Sequence, residues 1–386
     1  MSPDRRARDA RAAQWVRENL FLQEGLREPR IGAELELLAV DADSGAVSRL
    51  DGRLGTWLSS VAETNGWRSE DSTKGAPKYF LPNGAAVTLE PGGQVEYSST
   101  PHNSTASLIS DLQQSAALLL ETAAAHGITL AAVGIDPRHA LDEVPLQLTG
   151  GRYSRMDRYF RTIGEAGPRM MRQTASLQIN IDPAYDPLMT WSVLNRAAPV
   201  LTAMFANSRE YAGKDTGCAS YRALTWCELD PDRTGVFDGS GDPALEYAEF
   251  ALNAPLIGDA APYSRFRDDP RAGDEDLWEY HVSTLFPEVR PKGYYELRCI
   301  DAVPLESIED PITLIAALVW NEGALRDADA LLPPADRDAL VRAARFGLDD
   351  QTLKELATGL ERIASSTGDG MYVARKQLHP QRSYSG

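Results

Sequence analysis

Four short segments of the sequence alternate apolar residues with charged or amide residues, in the period-two pattern of half-buried strands. The first segment, GAELELLAV at 32–40, places Glu34 and Glu36 on one face of a predicted strand and its leucines on the other. The other three segments are GGQVEYSS at 92–99, ASLQINID at 175–182 and YYELRCID at 294–301. Together the four segments predict a sheet with one apolar face and one face of carboxylates, amides and an arginine.

Longer apolar segments between these strands have the period of helices. Cap residues and prolines give the expected bounds, which are Asn103 to Gly127, Leu188 to Ala206 with a kink at Pro199, Pro243 to Leu252, Pro311 to Asp327, and Gln351 to Ser365. Because strands and helices do not alternate regularly, the pattern favours an α+β fold with an antiparallel sheet. We expect one domain over residues 1–386, with a helical C-terminal part from about residue 305.

Composition and charge exclude several classes of protein. The 386 residues are 43% hydrophobic and contain neither an apolar run near 18 residues nor a signal-peptide pattern, so we expect a cytoplasmic protein without a membrane partner. A net charge of -17 argues against binding of nucleic acid through its phosphates. Cys218, Cys227 and Cys299 have no disulfide or zinc spacing, and we expect them to be reduced, with Cys299 in the core. The oligomeric state stays open between monomer and homodimer.

The polar faces of the four segments contain no lysine and one positive charge, Arg298. A sheet face that only meets water would carry Lys, Ser and Thr as often as Glu, Gln and Asn, so simple solvation is the weaker interpretation. Clustered glutamates repel one another, and a divalent cation relieves that repulsion. Oxygen ligands without His or Cys suit Mg²⁺ or Mn²⁺. The sequence has no GxxxxGK[ST] or GxGxxG motif, so a nucleotide would be held by metals and arginines on the sheet.

Five longer motifs follow one another in this part of the chain. They are GAELE at 32–36, EPGGQVEYSSTPH at 90–102, MMRQTASLQINID at 170–182, FANSREYAGKDTGCASYRALTWCELDPDRTG at 205–235 and TLFPEVRPKGYYELRCIDAVP at 284–304. As a set they resemble the plant-type glutamate-cysteine ligase family. The last two most resemble its actinobacterial branch, the ergothioneine-pathway ligases that make γ-glutamylcysteine. The resemblance covers about residues 31–304, and the C-terminal part is similar only in general character.

This resemblance implies a glutamine-synthetase-like fold, in which a curved antiparallel β-sheet forms a funnel with helices packed outside. It implies a single catalytic ligase domain that uses ATP as co-substrate and Mg²⁺, or Mn²⁺ in its place, as cofactor. The γ-carboxylate of L-glutamate would be phosphorylated to a γ-glutamyl phosphate, and the amine of L-cysteine would then displace phosphate. The products would be γ-glutamylcysteine, ADP and phosphate.

The resemblance also implies roles for individual residues. The carboxylates that would bind metal or the substrate amine are Glu34, Glu36, Glu90 and Glu96. Glu296 would be a further metal ligand, and Arg298 would bind phosphate. Gln178 and Asn180 stand where the wider superfamily has a polar pair near the metals and nucleotide, and Gln178 replaces a histidine of more distant relatives.

Two arginines in SYRALTWCELDPDRTG have two interpretations each. Arg222 is predicted to act on the migrating phosphoryl group, and Arg233 to bind substrate or ATP. The alternative is that both are surface partners of Asp230 and Asp232, and such pairs contribute little to stability.

The loop EVRPKGY carries Arg290 and Lys292 just before the last patterned strand. A mobile basic loop at this place would close over nucleotide or substrate, and the alternative is solvated loop charge. Nearby apolar residues are expected to pack in the core rather than to bind substrate, and they are Trp226, Met170 and Met171.

Two other functions fit the same features. A relative of these ligases would join glutamate to an amine other than cysteine, and the sequence has no short motif for the acceptor pocket that separates the two. A ligase-like protein without turnover would bind metal or a cationic ligand only. Such a decayed site should lose Glu296 or Arg298 first, and both are present.

Overall fold

The computed structural model describes residues 3–71 and 75–367, so residues 368–386 of the predicted C-terminal part lie outside the described residues. The strands are β1 (Ile31–Asp41), β2 (Arg68–Glu70), β3 (Lys78–Phe80), β4 (Ala86–Leu89), β5 (Val95–Ser98), β6 (Ile128–Ala131), β7 (Leu177–Ile181), β8 (Glu210–Tyr211), β9 (Lys214–Asp215), β10 (Thr234–Gly235), β11 (Phe286–Pro287), β12 (Val289–Pro291) and β13 (Tyr295–Leu297). The α-helices are α1 (Pro3–Asn19), α2 (Arg53–Thr64), α3 (Thr105–Ala125), α4 (Gly151–Arg161), α5 (Ala166–Gln173), α6 (Pro187–Met204), α7 (Tyr221–Leu229), α8 (Pro243–Asn253), α9 (Glu275–Val282), α10 (Glu309–Val319), α11 (Glu322–Leu331), α12 (Arg337–Phe346) and α13 (Gln351–Ser365).

The main sheet has the strand order β12-β13-β7-β1-β5-β4-β3-β2, and β6 pairs with the second half of β1. Every pairing in this sheet is antiparallel. The four patterned segments supply the neighbouring strands β13, β7, β1 and β5, although they are far apart in sequence. The predicted α+β fold with an antiparallel sheet is confirmed.

The alternation along β1 separates a core face from a polar face. Leu35 and Leu37 are almost fully buried, at 0% and 1% exposure. Glu34 and Glu36 point to the opposite face and are half-buried. The register pairs Glu34 with Gln178 of β7, so polar residues of neighbouring strands lie side by side.

Helices and aromatic side chains cover the apolar face. Helix α3 packs against β1 and β6, and α10 packs against α3. Helix α6 packs against β12 and β13, where fully buried Trp191 contacts the rings of Phe21 and Tyr295, at centroid distances of 5.1 and 5.7 Å. With one face covered in this way, the polar face is left to build the site.

The prediction of one helix from Pro311 to Asp327 is wrong. The structure has two helices, α10 and α11, with a break at Trp320 and Asn321. The Asn321 side chain accepts a hydrogen bond from the backbone N–H of Ala324 at 2.9 Å, so this residue starts a new helix instead of continuing the first.

The other predicted helices agree with the structure to within two residues, and the bounds predicted for α13 are confirmed. The N-cap of α3 is Ser104 rather than Asn103, because the Ser104 hydroxyl accepts the hydrogen bond from the Ser107 N–H. Gly127 follows the end of α3 with a φ of 69°, as expected for a glycine that stops a helix. Pro199 lies inside α6.

The three cysteines are free and buried, and Cys299 lies in the core at 1% exposure, as predicted. Of the helices in residues 3–71 and 75–367, none combines the length and apolar character needed to span a bilayer.

Candidate active site

A cavity of about 280 Å³ lies on the polar face of the sheet. Its acidic lining residues are Glu34, Glu36, Glu90, Glu96 and Glu296. Its basic lining residues are Arg152, Arg222, Arg290, Lys292 and Arg298. The remaining wall is mostly apolar and includes Tyr153, Met156, Met170, Met171, Trp226 and Phe286. The cavity therefore brings together most of the residues predicted from the sequence, including Gln178.

Glu36 occupies the middle of the acidic wall. One carboxylate oxygen accepts hydrogen bonds from the N–H and hydroxyl of Ser176, at 2.7 and 2.9 Å, and the other accepts from Gln178 at 3.0 Å. Glu36 also lies directly opposite Glu96 in the pairing of β1 with β5. Burial, followed by repulsion from Glu96 and Glu90, raises the pKa of Glu36 to about 8. This carboxylate has hydrogen-bond donors but lacks a sufficient counter-charge.

Glu34 lies two residues earlier on the same face. Burial raises the pKa of Glu34 above its ordinary value, and the charges of Glu96 and Glu296 raise it further. Asn180 donates a hydrogen bond to Glu34 at 3.3 Å. Asn180 does not line the cavity, and its side-chain oxygen has no partner among the described residues. It therefore meets the site through Glu34.

Glu90 reaches the cavity from the turn that joins β4 to β5. The turn is fixed from inside by Gln94, which accepts a hydrogen bond from the Gly92 N–H at 2.8 Å and donates to the Thr174 carbonyl at 2.9 Å. A side chain at Gly92 would stand 2.0 Å from the backbone oxygen of Arg172, so the close contact of the turn with α5 requires glycine. Tight packing of this turn holds Glu90 at the cavity wall.

Glu296 differs from the other cavity glutamates because three cations surround it. It is 1% exposed and pairs with Arg290 at 3.2 Å, Lys292 at 2.9 Å and Arg298 at 3.0 Å. Burial acts to raise the pKa of Glu296, but the charges of Arg290, Arg298 and Lys292 outweigh it and hold this pKa below its usual range. The β12–β13 hairpin thus places a cationic group at one end of the cavity.

Arg222 extends this cationic group through Arg298. Arg298 donates to Gln178 at 2.6 Å, and Arg222 of α7 donates to the backbone oxygen of Arg298 at 2.7 Å. Both guanidinium groups lie over the ring of Trp226, at 5.0 Å for Arg222 and 5.9 Å for Arg298. The Nε atoms of Arg222, Arg290 and Arg298 are buried and find no acceptor in the described part of the chain. Unsatisfied buried donors of this kind favour an anionic ligand.

Arg233 lies outside the cavity lining. Its side chain is fully buried, pairs with Asp230 at 3.1 Å, donates to Thr284 and lies over the ring of Tyr159 at 4.8 Å. The alternative interpretation of Arg233 as a partner of Asp230 is therefore correct about the partner, but the pair is buried rather than at the surface. We leave Arg233 out of the proposed site.

Part of the cavity wall was not predicted from the sequence. Trp226, Met170 and Met171 are buried as predicted, yet they also line the cavity. Arg152 and Met156, which face the same space from α4, carried no signal in the sequence pattern. The methionines of α5 immediately precede β7, and that position beside a polar strand was the one available clue.

The carboxylate oxygen atoms that line the cavity are of the chemical type that binds a divalent cation. The raised pKa of Glu34 and of Glu36 means that a nearby cation would favour their charged forms. Within residues 3–71 and 75–367, no three acidic, histidine or cysteine side chains converge as a preformed metal centre. Mg²⁺ is commonly held by one or two carboxylates together with water and substrate phosphates, so the residues fit a cation that arrives with a nucleotide.

The antiparallel sheet, with a cavity of carboxylates and arginines on its polar face, agrees with the ligase class that the sequence motifs resemble. The model of the glutamate-cysteine ligase family 2 matches residues 30–380, and the chain belongs to this family of enzymes.

Named relatives agree with this assignment. The chain is 36% identical to the glutamate-cysteine ligase EgtA of Mycolicibacterium smegmatis over 333 residues, which cover 78% of this chain and 77% of that protein. It is 28% identical to the chloroplastic glutamate-cysteine ligase of Brassica juncea, with coverage of 87% and 70%.

The fold is similar to that of a solved structure, the glutamate-cysteine ligase of Francisella tularensis in complex with AMP. The TM-score is 0.52 at 14% identity, and the match covers 90% of this chain and 79% of that one. This likeness concerns the fold, and it confirms the predicted fold class.

Proposed function

We propose that the protein joins the γ-carboxylate of L-glutamate to the amine of L-cysteine at the expense of ATP. The γ-carboxylate attacks the γ-phosphorus of ATP, ADP leaves, and a γ-glutamyl phosphate forms. The amine then attacks the acyl carbon, and phosphate leaves with the C–N bond formed. No protein nucleophile is needed, because phosphoryl transfer depends on positioning and charge neutralisation.

The observation that carries this proposal is one cavity lined by five glutamates and five basic residues, with Arg290, Lys292 and Arg298 on the β12–β13 side of the sheet and four of the glutamates on or beside β1 and β5. These two sides are the basic end and the acidic end. Arginines with unsatisfied Nε–H groups suit the phosphate oxygens of ATP and of the acyl phosphate. The glutamates suit the cations that accompany a nucleotide and the α-ammonium group of glutamate. A γ-phosphoryl transfer needs both kinds of group within one small space.

We assign the following roles to individual residues of the cavity. Arg298 and Arg222 bind the migrating phosphoryl group, and Arg290 binds an outer phosphate. The residues that would hold Mg²⁺, or Mn²⁺ in its place, are Glu34, Glu36, Glu90 and Glu96. Glu296, which the sequence predicts as a further metal ligand, instead pairs with Arg290, Lys292 and Arg298. That cation would neutralise charge on the phosphates. Gln178 orients Glu36 and Arg298, since it donates to the first and accepts from the second. For the glutamate α-ammonium group, Glu36 and Glu90 are the two candidates.

We also propose that one domain carries the whole reaction. The cavity draws residues from β1 through the segment just after β13, and the described C-terminal helices α11 and α13 pack on α6. The similarity to the glutamate-cysteine ligase EgtA supports γ-glutamylcysteine as the product. The resemblance of the motifs at 205–235 and 284–304 to the ergothioneine-pathway ligases supports ergothioneine as its use. A reaction that consumes ATP and a reduced thiol favours a cytoplasmic location.

The test is to incubate purified protein with ATP, Mg²⁺, L-glutamate and L-cysteine, to quantify nucleotides and to locate the amide bond by fragmentation. The expected result is one ADP and one phosphate for each γ-linked dipeptide. AMP with pyrophosphate, or an α-linked product, contradicts the mechanism. A panel of other amines decides the acceptor, because ADP with a γ-linked product of another amine keeps the mechanism and changes only the choice of cysteine.

A further inference from the structure

Behind the basic end of the cavity lies a buried carboxylate that does not line it, Asp301. Asp301 is 1% exposed and accepts hydrogen bonds from the Asn207 N–H at 2.7 Å, the Ser208 hydroxyl at 2.7 Å and the Ser220 hydroxyl at 2.9 Å. Its fourth neighbour is the guanidinium group of Arg222, at 3.6 Å. This carboxylate is fully surrounded by donors and one positive charge.

The two serines connect Asp301 to the beginning of α7. The Ser208 hydroxyl accepts from the backbone N–H of Arg222 at 3.1 Å, and the Ser220 hydroxyl caps the helix by accepting from Ala223 at 3.0 Å. Asp301 therefore contacts Arg222 twice, directly through its side chain and indirectly through the first turn of its helix. Both routes end at the residue that reaches into the cavity.

We infer that Asp301 is a positioning residue, which holds the Arg222 guanidinium in place for the nucleotide phosphates. This inference rests on the proposed function, since it assigns Asp301 a part in that site. The Arg222 side chain is 4% exposed, so it needs a buried counter-charge on the side away from the cavity. With that charge in place, Arg222 keeps a fixed orientation when the cavity is filled.

The chain offers a matched control. Asp230 and Arg233 form a second buried pair at 3.1 Å, with side-chain exposures of 6% and 0%, and neither residue lines the cavity. A substitution at Asp230 therefore also removes a buried carboxylate from an arginine, but away from the nucleotide. Substitution of either aspartate should lower stability, but only substitution of Asp301 should also lower nucleotide affinity.

The experiment is a double-mutant cycle by titration calorimetry on the affinity for MgAMP-PNP, an ATP analogue that keeps the γ-phosphate, with wild type, Asp301→Asn, Arg222→Lys and the double variant. We expect each single substitution to weaken binding about ten-fold, as for a hydrogen bond to a charged group. The double variant should bind no more weakly than Arg222→Lys alone, because Asp301 acts through Arg222. Asp230→Asn should bind MgAMP-PNP as the wild type does.

Additive losses in the double variant, or an unchanged affinity in folded Asp301→Asn, would overturn the inference. If Asp301→Asn does not fold, Ser208→Ala tests the same connection, since it removes one link and keeps the carboxylate. We expect Ser208→Ala to weaken nucleotide binding two- to three-fold, which is about 0.5 kcal/mol. The same substitution should have no effect on binding when Arg222→Lys is also present. A wild type that binds MgAMP-PNP but forms no ADP from ATP with glutamate and any amine contradicts the proposed function, while the binding cycle still decides the role of Asp301.

Discussion

Glu36 and Glu296 are the same kind of residue on the same face of one sheet, and both line one cavity, yet their pKa values shift in opposite directions. Burial raises the pKa of Glu36 to about 8, and its nearest charged neighbours are further glutamates. Burial also acts on Glu296, but three cations reverse its effect. Because both carboxylates are buried, the opposite direction of their pKa shifts comes from their charged neighbours.

The difference separates two tasks within the proposed site. Glu296 is already neutralised by the chain itself, and it gathers the basic residues that suit phosphate. Glu36 has only neutral hydrogen-bond donors, and a cation that enters the cavity would supply what it lacks. The protein thus carries the cations for one end of the cavity and depends on its ligands for the other.

The largest expected effect is on turnover. Glu36→Gln and Glu296→Gln should each lower kcat for ADP formation by about 10³-fold or more, since each removes a charge that the transferred phosphoryl group and its cations require. Steady-state assays with glutamate, cysteine and MgATP measure this, and circular dichroism confirms the fold. Near-normal turnover in a folded Glu296→Gln protein would remove Glu296 from the proposed site.

Glu36→Gln and Glu296→Gln should differ in stability, although they should lower activity to a similar extent. Glu296→Gln leaves Arg290, Lys292 and Arg298 without their shared counter-charge, and the free energy of unfolding should fall by about 3 kcal/mol. Glu36→Gln removes a repelled carboxylate but also replaces one acceptor oxygen by an NH2 group that faces a donor, so its loss of stability at pH 8 should be clearly smaller than that of Glu296→Gln. Chemical denaturation without metal or nucleotide measures both values. An equal loss in the two variants would contradict the distinction drawn between their environments.

A smaller loss is expected when the basic end keeps its charge but changes its shape. Arg298→Lys should lower kcat by about 10²-fold, because an ammonium group does not reproduce the planar donors of a guanidinium on phosphoryl oxygens. The matched control is Arg209→Lys, which changes an exposed arginine paired with Asp215 and should leave kcat unchanged. If Arg298→Lys behaves like the surface control, Arg298 does not bind the transferred group.

Much of this arrangement follows from the sequence, because a period of two determines which residues share a face. Glu34, Glu36, Gln178 and Glu296 were found in this way. The alternation does not specify how strands pair, so the contact of Glu36 with Glu96 required the structure. Such patterns also do not reveal what helices contribute from outside the sheet.

Arg222 and Arg233 illustrate that second limit. Both belong to one motif, and the sequence predicts both for the site, Arg222 on the migrating phosphoryl group and Arg233 on substrate or ATP. Arg222 lies in the first turn of α7 and faces the cavity, whereas Arg233 follows the end of that helix and pairs with Asp230 in the interior. The direction of a side chain after a helix ends depends on tertiary packing, which local pattern does not encode.

The last expected effect, which is small for each pH unit, is the pH dependence that the Glu36 carboxyl group adds to stability. In the unfolded chain this group titrates near 4.5, and in the folded protein near 8. Between these values the folded state holds more protons, so this group makes the free energy of unfolding fall as pH rises, by at most about 1.4 kcal/mol per pH unit. The melting temperature of Glu36→Gln minus that of the wild type should therefore increase from pH 5 to pH 8.

Saturating Mg²⁺ with ADP should raise the wild-type melting temperature and remove most of this trend, because a bound cation favours the charged carboxylate and ligands stabilise the native state. Differential scanning calorimetry on both proteins, with and without MgADP, measures the two effects, and a temperature difference that stays constant across this pH range would contradict the raised pKa of Glu36.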